Sequence, residues 1–574
     1  MFNSYQTLLQ NLSTQEALPL LTEIQRGIEK EGLRITPQAN IAQTKHSQYL
    51  GSALTHPSIT TDYSEALLEF ITPVSTRISD SIDYLTNLHI YTSRNIAAEY
   101  IWPASMPCRL EGEESIPIAQ YGNSNIGRMK HVYRQGLAVR YGKTMQSIAG
   151  IHYNFSMPDE FWPLFYKITA HKSSAHESSA HESSAHESSV QELKDQQRNL
   201  QDFKSERYLG LIRNFQRHSW LLTYLFGASP VLDSSFFNSP FMSGQKEKLE
   251  KQGDTTLGLS YATSLRMSDL GYQSKAQASL EINYNNLDEY LDNLQAAMQT
   301  PYDDYEKLGV RVGGEYRQLN TNILQIENEY YSGIRPKRVP ASGETSSEAL
   351  RREGIEYVEI RTLDINPFLL VGLDVEQIRM LDCFLLYCLF SDSDEISSEE
   401  NREIQSNLQK VILDGRNPDL MLLQGGRDIS FANKAKTLLN KVSGTADLLD
   451  RAHSNALYSA ALTQQKVKVE HPEKTPSGII MADIINGCEF SDLMLKQAKR
   501  QQQYFATQPL SSVIEKELQQ QALTSLQQQK DIEAQDANAN NTDFSEAQSF
   551  EGFLRASQPQ YESGTDQQKV VGSN

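Results

Sequence analysis

Two stretches of this chain put acidic side chains where a buried strand would carry apolar ones, and that placement restricts the fold more than any other feature. Leu67-Leu68-Glu69-Phe70-Ile71 is an apolar run interrupted by one carboxylate, and Ile28-Glu29-Lys30-Glu31-Gly32-Leu33-Arg34-Ile35 carries two, one residue apart. On an extended strand successive side chains point to opposite faces, so Glu29 and Glu31 share a face with Leu33 while Ile28 and Lys30 take the other. Like charges side by side repel unless a cation lies between them. A carboxylate inside an apolar run is costly unless a cation or hydrogen-bond donors compensate it. Taken alone, the octet reads as the solvated outer face of an antiparallel strand; the rest of the chain shifts that reading.

The chain has 574 residues, enough to bury a large core without disulfides or a structural metal. Its net charge of −19 argues against nucleic acid or an anionic membrane as partner, since both would be repelled, and no Lys/Arg-rich run offers a local exception. The four cysteines (Cys108, Cys383, Cys388, Cys488) form no CxxC pair, which argues against a disulfide framework or zinc knuckle and suits a reducing compartment. The N-terminal stretch lacks a cationic leader with an unbroken apolar core, and the apolar-rich patch 380–390 is too short to span a bilayer. These features predict a cytoplasmic protein.

Along the chain, residues 21–165 alternate short strand-like runs with turns and one amphipathic helix marked by Ser79, Ile82, Leu85, Leu88 and His89. Residues 170–189 then repeat a five-residue AHESS-like unit. A five-residue period advances about 140° per repeat on a helix, so its four histidines cannot form one metal-binding stripe. With the polar stretch that follows, 170–205 reads as a low-complexity insert in a surface loop. An apolar helix is expected over 208–226, ended by Gly227, then strands and loops rich in tyrosine over 255–370 and helices over 375–465. Composition divides the chain into one catalytic domain, 1–510, and a Gln-rich, partly disordered tail, 511–574.

Several side chains make an inventory with chemical content. Glu29, Glu31, Asp62, Glu69 and Glu359 supply hard oxygen donors, His152 an imidazole, and Arg266 and Arg361 fixed cations. Alternation puts His152, Asn154 and Ser156 on one face of 150–156, and Glu359 beside Arg361 on one face of 357–361. Singly each has an ordinary explanation: a strand histidine is commonly a hydrogen-bonded core residue, and a Glu/Arg couple an ion pair. Jointly, clustered carboxylates select Mg²⁺ or Mn²⁺, whose shells water and substrate phosphate complete, and arginines add forked donors for a carboxylate or phosphoryl group. The combination suits ATP-driven activation of a carboxylate. No GxxxxGK[ST], GxGxxG or GxSxG motif competes with it.

The segments RGIEKEGLRI (26–35), LGSALTHPSITTDYSEALLEFITPV (50–74), GIHYNFS (150–156), YATSLRMSDLGY (261–272), LQIENEYYSGIRPKR (324–338) and GIEYVEIRTLDINPF (354–368) resemble those of the proteobacterial glutamate-cysteine ligase family. The similar strings run across most of 20–425; the AHESS insert and the Gln-rich tail stand outside them. The resemblance implies a glutamine-synthetase-like α+β fold, a curved, mostly antiparallel sheet forming a funnel-shaped active site with helices packed outside. It implies that Glu29, Glu31, Asp62, Glu69, His152 and Glu359 hold Mg²⁺, or Mn²⁺, against the phosphates of ATP. It also implies that Arg266 and Arg361 are catalytic, holding glutamate and the transferring phosphoryl group, and that Tyr133, Leu137, Gln146, Tyr272 and Tyr331 form a cysteine pocket. The implied reaction joins the γ-carboxylate of L-glutamate to the amine of L-cysteine through γ-glutamyl phosphate, with glutathione as feedback inhibitor and a monomeric enzyme. Two alternatives stay open: a same-fold ligase using another small amine, and an inactive metal-binding relative.

Overall fold

The computed structural model describes residues 4–170, 190–242, 244–270, 275–278, 280, 282–341, 344–539, 550, 553 and 554. Its organising element is a seven-stranded sheet. In chain order its strands are β1 (Gln25–Ile35), β2 (Ile59–Thr61), β3 (Leu67–Ile71), β4 (Tyr100–Ile101), β5 (Ile151–Ser156), β6 (Ile334–Lys337) and β7 (Tyr357–Leu363). In space they run β6-β7-β5-β1-β3-β2, with β4 paired to the end of β1, and every pairing is antiparallel. This is the mostly antiparallel α+β architecture expected, with helices outside the sheet.

Register sets what the two faces carry. Glu29 pairs across from His152, Glu31 from Glu69, Thr60 from Glu69, and Glu359 from Asn154 and Arg335. Because side chains alternate, all of these polar groups fall on one face. The opposite face presents Ile28, Phe70, Tyr153, Phe155, Val358 and Ile360, each fully buried. The helices Ile78–Asn95 and Val375–Phe390 pack on that side. The first matches the expected 79–89 stripe; the second follows the apolar run that was too short for a membrane. No helix among the described residues is long and apolar enough to cross a membrane.

The apolar face also holds charge. Arg26 and Asp382 form an ion pair of 2.8 Å with side chains 1% and 0% exposed, and the Tyr153 hydroxyl donates to the same carboxylate at 2.7 Å. The pair ties β1 and β5 to the helix Val375–Phe390. Lys30, on this face between Glu29 and Glu31, lies 3.0 Å from His89 Nε2 in the helix Ile78–Asn95, and burial lowers its ammonium pKa to about 7.

Three expectations need correction. Residues 190–205, assigned to the low-complexity insert, form the first turns of a helix, Val190–Phe226, where Lys204 pairs with Asp159 at 2.9 Å and Phe203 packs on Phe165. Gln, Glu, Leu, Lys and Arg are strong helix formers, and that outweighs the shortage of apolar residues. The AHESS repeat itself, 171–189, lies outside the described residues. Residues 512–539 of the Gln-rich tail form an α-helix, Ser512–Ala539, seated on the loop that precedes β2. Finally, residues 21–165 contain helices beyond the one expected, most importantly Asn125–Tyr141, N-capped by Ser124 and stopped at Gly142, whose φ is +81°.

Removing Asp382 leaves a buried guanidinium without its counter-charge. Asp382→Ala is therefore expected to cost about 3–5 kcal/mol in urea unfolding, whereas Arg26→Met with Asp382→Leu, which leaves no buried charge, costs far less. A loss below about 1 kcal/mol for Asp382→Ala would show that the pair does not organise the sheet.

Candidate functional site

The polar face of the sheet is the floor of a cleft of about 460 Å³. Seven sequence stretches deliver most of its floor and walls: strands β1, β5, β6 and β7, the turn after β2 carrying Asp62, the helix Asn125–Tyr141, and the segment 319–331. Of the residues singled out in the sequence, Glu29, Glu31, Asp62, Tyr133, Leu137, Gln146, His152, Tyr331, Glu359 and Arg361 line it together. Glu69 and Arg266 do not. Glu69 sits across the ladder from Glu31. Arg266 is 2% exposed; its Nη2 donates to the Arg361 carbonyl at 2.9 Å and its Nη1 faces Asp364 at 3.7 Å. A Cβ on Gly150 would overlap the Arg266 guanidinium, so that position needs glycine for close approach. Tyr272 lies outside the described residues.

His152 is the hub. Its Nδ1 lies 3.2 Å from Glu29 and 3.8 Å from Glu359, and its Nε2 lies 3.9 Å from Glu31. Asn154, two residues along the same face, donates to Glu29 at 2.9 Å, and the Gly150 N–H donates to Glu31 at 2.6 Å. Donor atoms of Glu29, His152 and Glu359 all lie within 4.8 Å of one another. Two oxygens in this cluster, Glu359 Oε2 and Asn154 Oδ1, are buried and have no hydrogen-bond partner among the described residues. Buried acceptors of this kind are costly unless something absent from the polypeptide meets them. A mixed oxygen and imidazole set at this spacing fits a hard divalent cation.

The carboxyl groups do not titrate alike. Burial, and then the charge of Asp62, raise Glu31; burial, and then the charges of Glu29, Asp62 and Glu31, hold Glu69 well above the glutamate range. Burial also acts to raise Glu29 and Glu359, but at Glu29 the His152 hydrogen bond and charge together with Lys337, and at Glu359 Lys337, Arg361, His152 and Arg335 together, outweigh it, so both lie below the usual range. One end of the face thus favours the ionised carboxylate and the other resists it, a balance that a bound cation would shift toward ionisation.

Sequence reasoning missed five groups on this surface. Arg335 and Lys337 lie on β6, one strand beyond Glu359, and Lys337 Nζ is 3.7 Å from its carboxylate. Their signal was the alternation within Ile334-Arg335-Pro336-Lys337, which puts both cations on one face. Lys130, Arg134 and Tyr141 come from the helix Asn125–Tyr141, at helical spacing with Tyr133 and Leu137. That stripe is polar and aromatic, so it does not stand out as an amphipathic pattern; Ser124 before it and Gly142 after it were the readable marks. With them the cleft is lined by five cations, Lys130, Arg134, Arg335, Lys337 and Arg361, against five acids, Glu29, Glu31, Asp62, Glu329 and Glu359. Such a surface suits anionic substrates held together with cations.

The family model for glutamate-cysteine ligase matches residues 9–185 and 181–411. A glutamate-cysteine ligase of Pseudomonas paraeruginosa is 48% identical over 517 residues, covering 90% of this chain and 92% of that protein. One of Alcanivorax borkumensis is 46% identical over 549 residues, covering 95% and 97%. The crystal structure of Francisella tularensis glutamate-cysteine ligase in complex with AMP matches with a TM-score of 0.79 at 34% identity, over 93% of this chain and 97% of that one. A bifunctional glutathione synthetase from Pasteurella multocida, 23% identical with a TM-score of 0.63, shares the fold, and this chain covers 54% of it.

The opposed carboxyl groups give a pH signature. A carboxyl held above its unfolded pKa stabilises the fold fully below that unfolded value and loses the contribution as pH rises through the folded one. Glu31 and Glu69 therefore make the metal-free protein less stable as pH climbs above the ordinary glutamate range. Glu29 and Glu359, held low, lose theirs only below it. In chelator, Glu69→Gln is expected to raise unfolding free energy at pH 8 by about 1–2 kcal/mol and to flatten its fall between pH 5 and 8. A variant less stable than the parent at pH 8 would contradict this charge balance.

Proposed function

Because the chain belongs to the glutamate-cysteine ligase family, we propose that it joins the γ-carboxylate of L-glutamate to the amine of L-cysteine in an ATP-dependent reaction that gives γ-glutamylcysteine, ADP and phosphate, the first step of glutathione biosynthesis. The observation that carries the reading is the Glu29, His152 and Glu359 cluster with Arg361, Arg335 and Lys337 beside it on the same sheet face of one cleft. Glu29, His152 and Glu359, with Glu31, Asp62 and Glu69, would hold divalent cations, Mg²⁺ or Mn²⁺, which when bound neutralise the ATP polyphosphate and make its terminal phosphorus more electrophilic.

The polypeptide's own part is binding and orientation. An anion attacking another anion must first be relieved of repulsion, and Arg361, backed by Arg335 and Lys337, supplies fixed positive charge in a partly desolvated cleft. A γ-carboxylate oxygen of glutamate attacks the γ-phosphorus in line; the bond to the β-phosphate oxygen breaks and ADP leaves. The cysteine amine then attacks the acyl carbon of γ-glutamyl phosphate, loses a proton and expels phosphate. Arg266 acts from behind, fixing the β7 backbone through the Arg361 carbonyl. Tyr133, Leu137, Gln146 and Tyr331 form the wall of the amine pocket. Tyr331 is held by Gln277, which accepts from its backbone N–H at 3.2 Å, and by contact of its hydroxyl with Met267 sulfur at 3.2 Å. Excluding water there protects the acyl phosphate from hydrolysis.

Glutathione contains the γ-glutamylcysteine unit, so a cleft that takes glutamate and cysteine side by side also takes that part of glutathione, as feedback inhibition requires. Four free cysteines suit a cytoplasmic protein, and one chain brings the whole donor set together, as a monomeric enzyme needs. The catalytic domain is read as 1–510 apart from the AHESS insert.

Purified protein with Mg-ATP and L-glutamate should release phosphate only when L-cysteine is added, with γ-glutamylcysteine identified by mass. Glu29→Gln and Arg361→Ala should each lower kcat/KM by about 10²–10³-fold while the fold is retained by circular dichroism. Release with another amine but not with cysteine would discard the substrate and keep the reaction; none at all from folded protein would mark an inactive relative.

A further inference from the structure

The helix Asn125–Tyr141 supplies six lining residues; its C-terminal end is held by the buried Arg140–Glu329 ion pair, while toward its start only Gly127 and Val132 are buried. Its outer side and its N-terminus meet the C-terminal segment instead. Glu533 Oε1 accepts from the Asn123 N–H at 2.8 Å and Asp536 Oδ2 from the Asn125 N–H at 2.6 Å. Two carboxylates thereby meet backbone donors around the helix start, where the macrodipole favours negative charge. Gly122, at φ +79°, lets the chains approach this closely; a Cβ there would overlap Gln529 and Glu533. The same C-terminal helix holds the loop before β2, with Ser52 N–H donating to Ser525 Oγ at 3.0 Å and Thr55 Oγ1 donating to the Ser525 carbonyl at 2.6 Å.

Further along, Phe550 and Leu554 join Val132 and Leu319 in a small apolar cluster separate from the main core, with Met129, Tyr133 and Ile326 packed against it. The Arg128 guanidinium lies 4.0 Å over the Phe550 ring. Met129, Tyr133, Leu319 and Ile326 are also cleft-lining residues. The C-terminal segment therefore touches the backs of side chains whose fronts face the site.

We propose that the C-terminal segment sets the position of the Asn125–Tyr141 wall, with Glu533, Asp536, Phe550 and Leu554 as positioning residues that hold the acceptor-amine pocket in its binding geometry. Its assignment to the amine pocket rests on the reading of Tyr133 and Leu137 given above. A displacement of about 1 Å in a substrate wall is enough to lose one to two orders of magnitude in productive binding. None of the four residues lines the cleft, so their effect passes through the helix.

The test uses full-length protein carrying Phe550→Ala with Leu554→Ala, and separately Glu533→Ala with Asp536→Ala. Leu137→Ala serves as the reference for what the wall binds. Each tail variant is expected to raise KM for cysteine about tenfold with KM for ATP within about twofold, and to speed amide exchange in 125–141 but not in Gln25–Ile35. The conservative changes Phe550→Leu and Glu533→Gln should restore most of the parent KM. If Leu137→Ala and the tail variants together raise KM for glutamate instead of cysteine, the positioning role stands and the amine-pocket assignment falls. If Leu137→Ala raises KM for cysteine and the tail variants do not, or if they lower only the thermal midpoint, the proposal is overturned.

Discussion

Four carboxylates turned to a single face of an antiparallel sheet, with Asp62 beside them in the turn after β2, repel one another, and the rest of the molecule can be read as the means of keeping them there. His152 bridges three of the carboxylates at 3.2–3.9 Å. Cations on β6 and β7 balance the opposite edge. Burial, and then the neighbouring negative charge, raises Glu31 and Glu69, and a bound cation would offset both. The fold by itself holds this arrangement at a cost, and metal binding would be the step that relieves it.

A sheet with such a face needs a backing that cannot slip, because a one-residue shift of β1 would exchange Glu29 and Glu31 for Ile28 and Lys30. The buried Arg26, Tyr153 and Asp382 triad meets that need. It is directional where apolar contacts are not, and it joins two strands and a helix in one register. The same logic recurs at Arg266, where an ion pair with Asp364 fixes a cation behind Gly150 and beneath β7. In both places buried charge specifies geometry more than it adds stability.

Much of this was legible in the residues themselves. Period-two alternation was sufficient to put Glu29 with Glu31, His152 with Asn154 and Glu359 with Arg361, because strand geometry allows no other facing. Helix signals worked where the stripe was apolar, as over 78–95 and 375–390. They failed for Asn125–Tyr141, whose exposed stripe is polar because it faces a cleft, and for Ser512–Ala539, whose Gln-rich composition resembles a linker. Which strands neighbour one another was not legible from pattern at all: β5 pairs with β1 across more than a hundred residues, and composition carries no record of that pairing. The cations of β6 were missed for this reason, since nothing local ties Ile334–Lys337 to Glu359.

The central claim is that one sheet face binds divalent cations as part of an ATP site. Its most direct test is to titrate the protein with Mn²⁺ and follow the free-ion electron paramagnetic resonance signal, with and without a non-hydrolysable ATP analogue, in the parent and in Glu29→Gln with Glu359→Gln. The account predicts Mn²⁺ uptake by the parent, tighter when the nucleotide analogue is present, and loss of that uptake in the double variant. Equal uptake by parent and variant, or none by the folded parent with nucleotide, would contradict it.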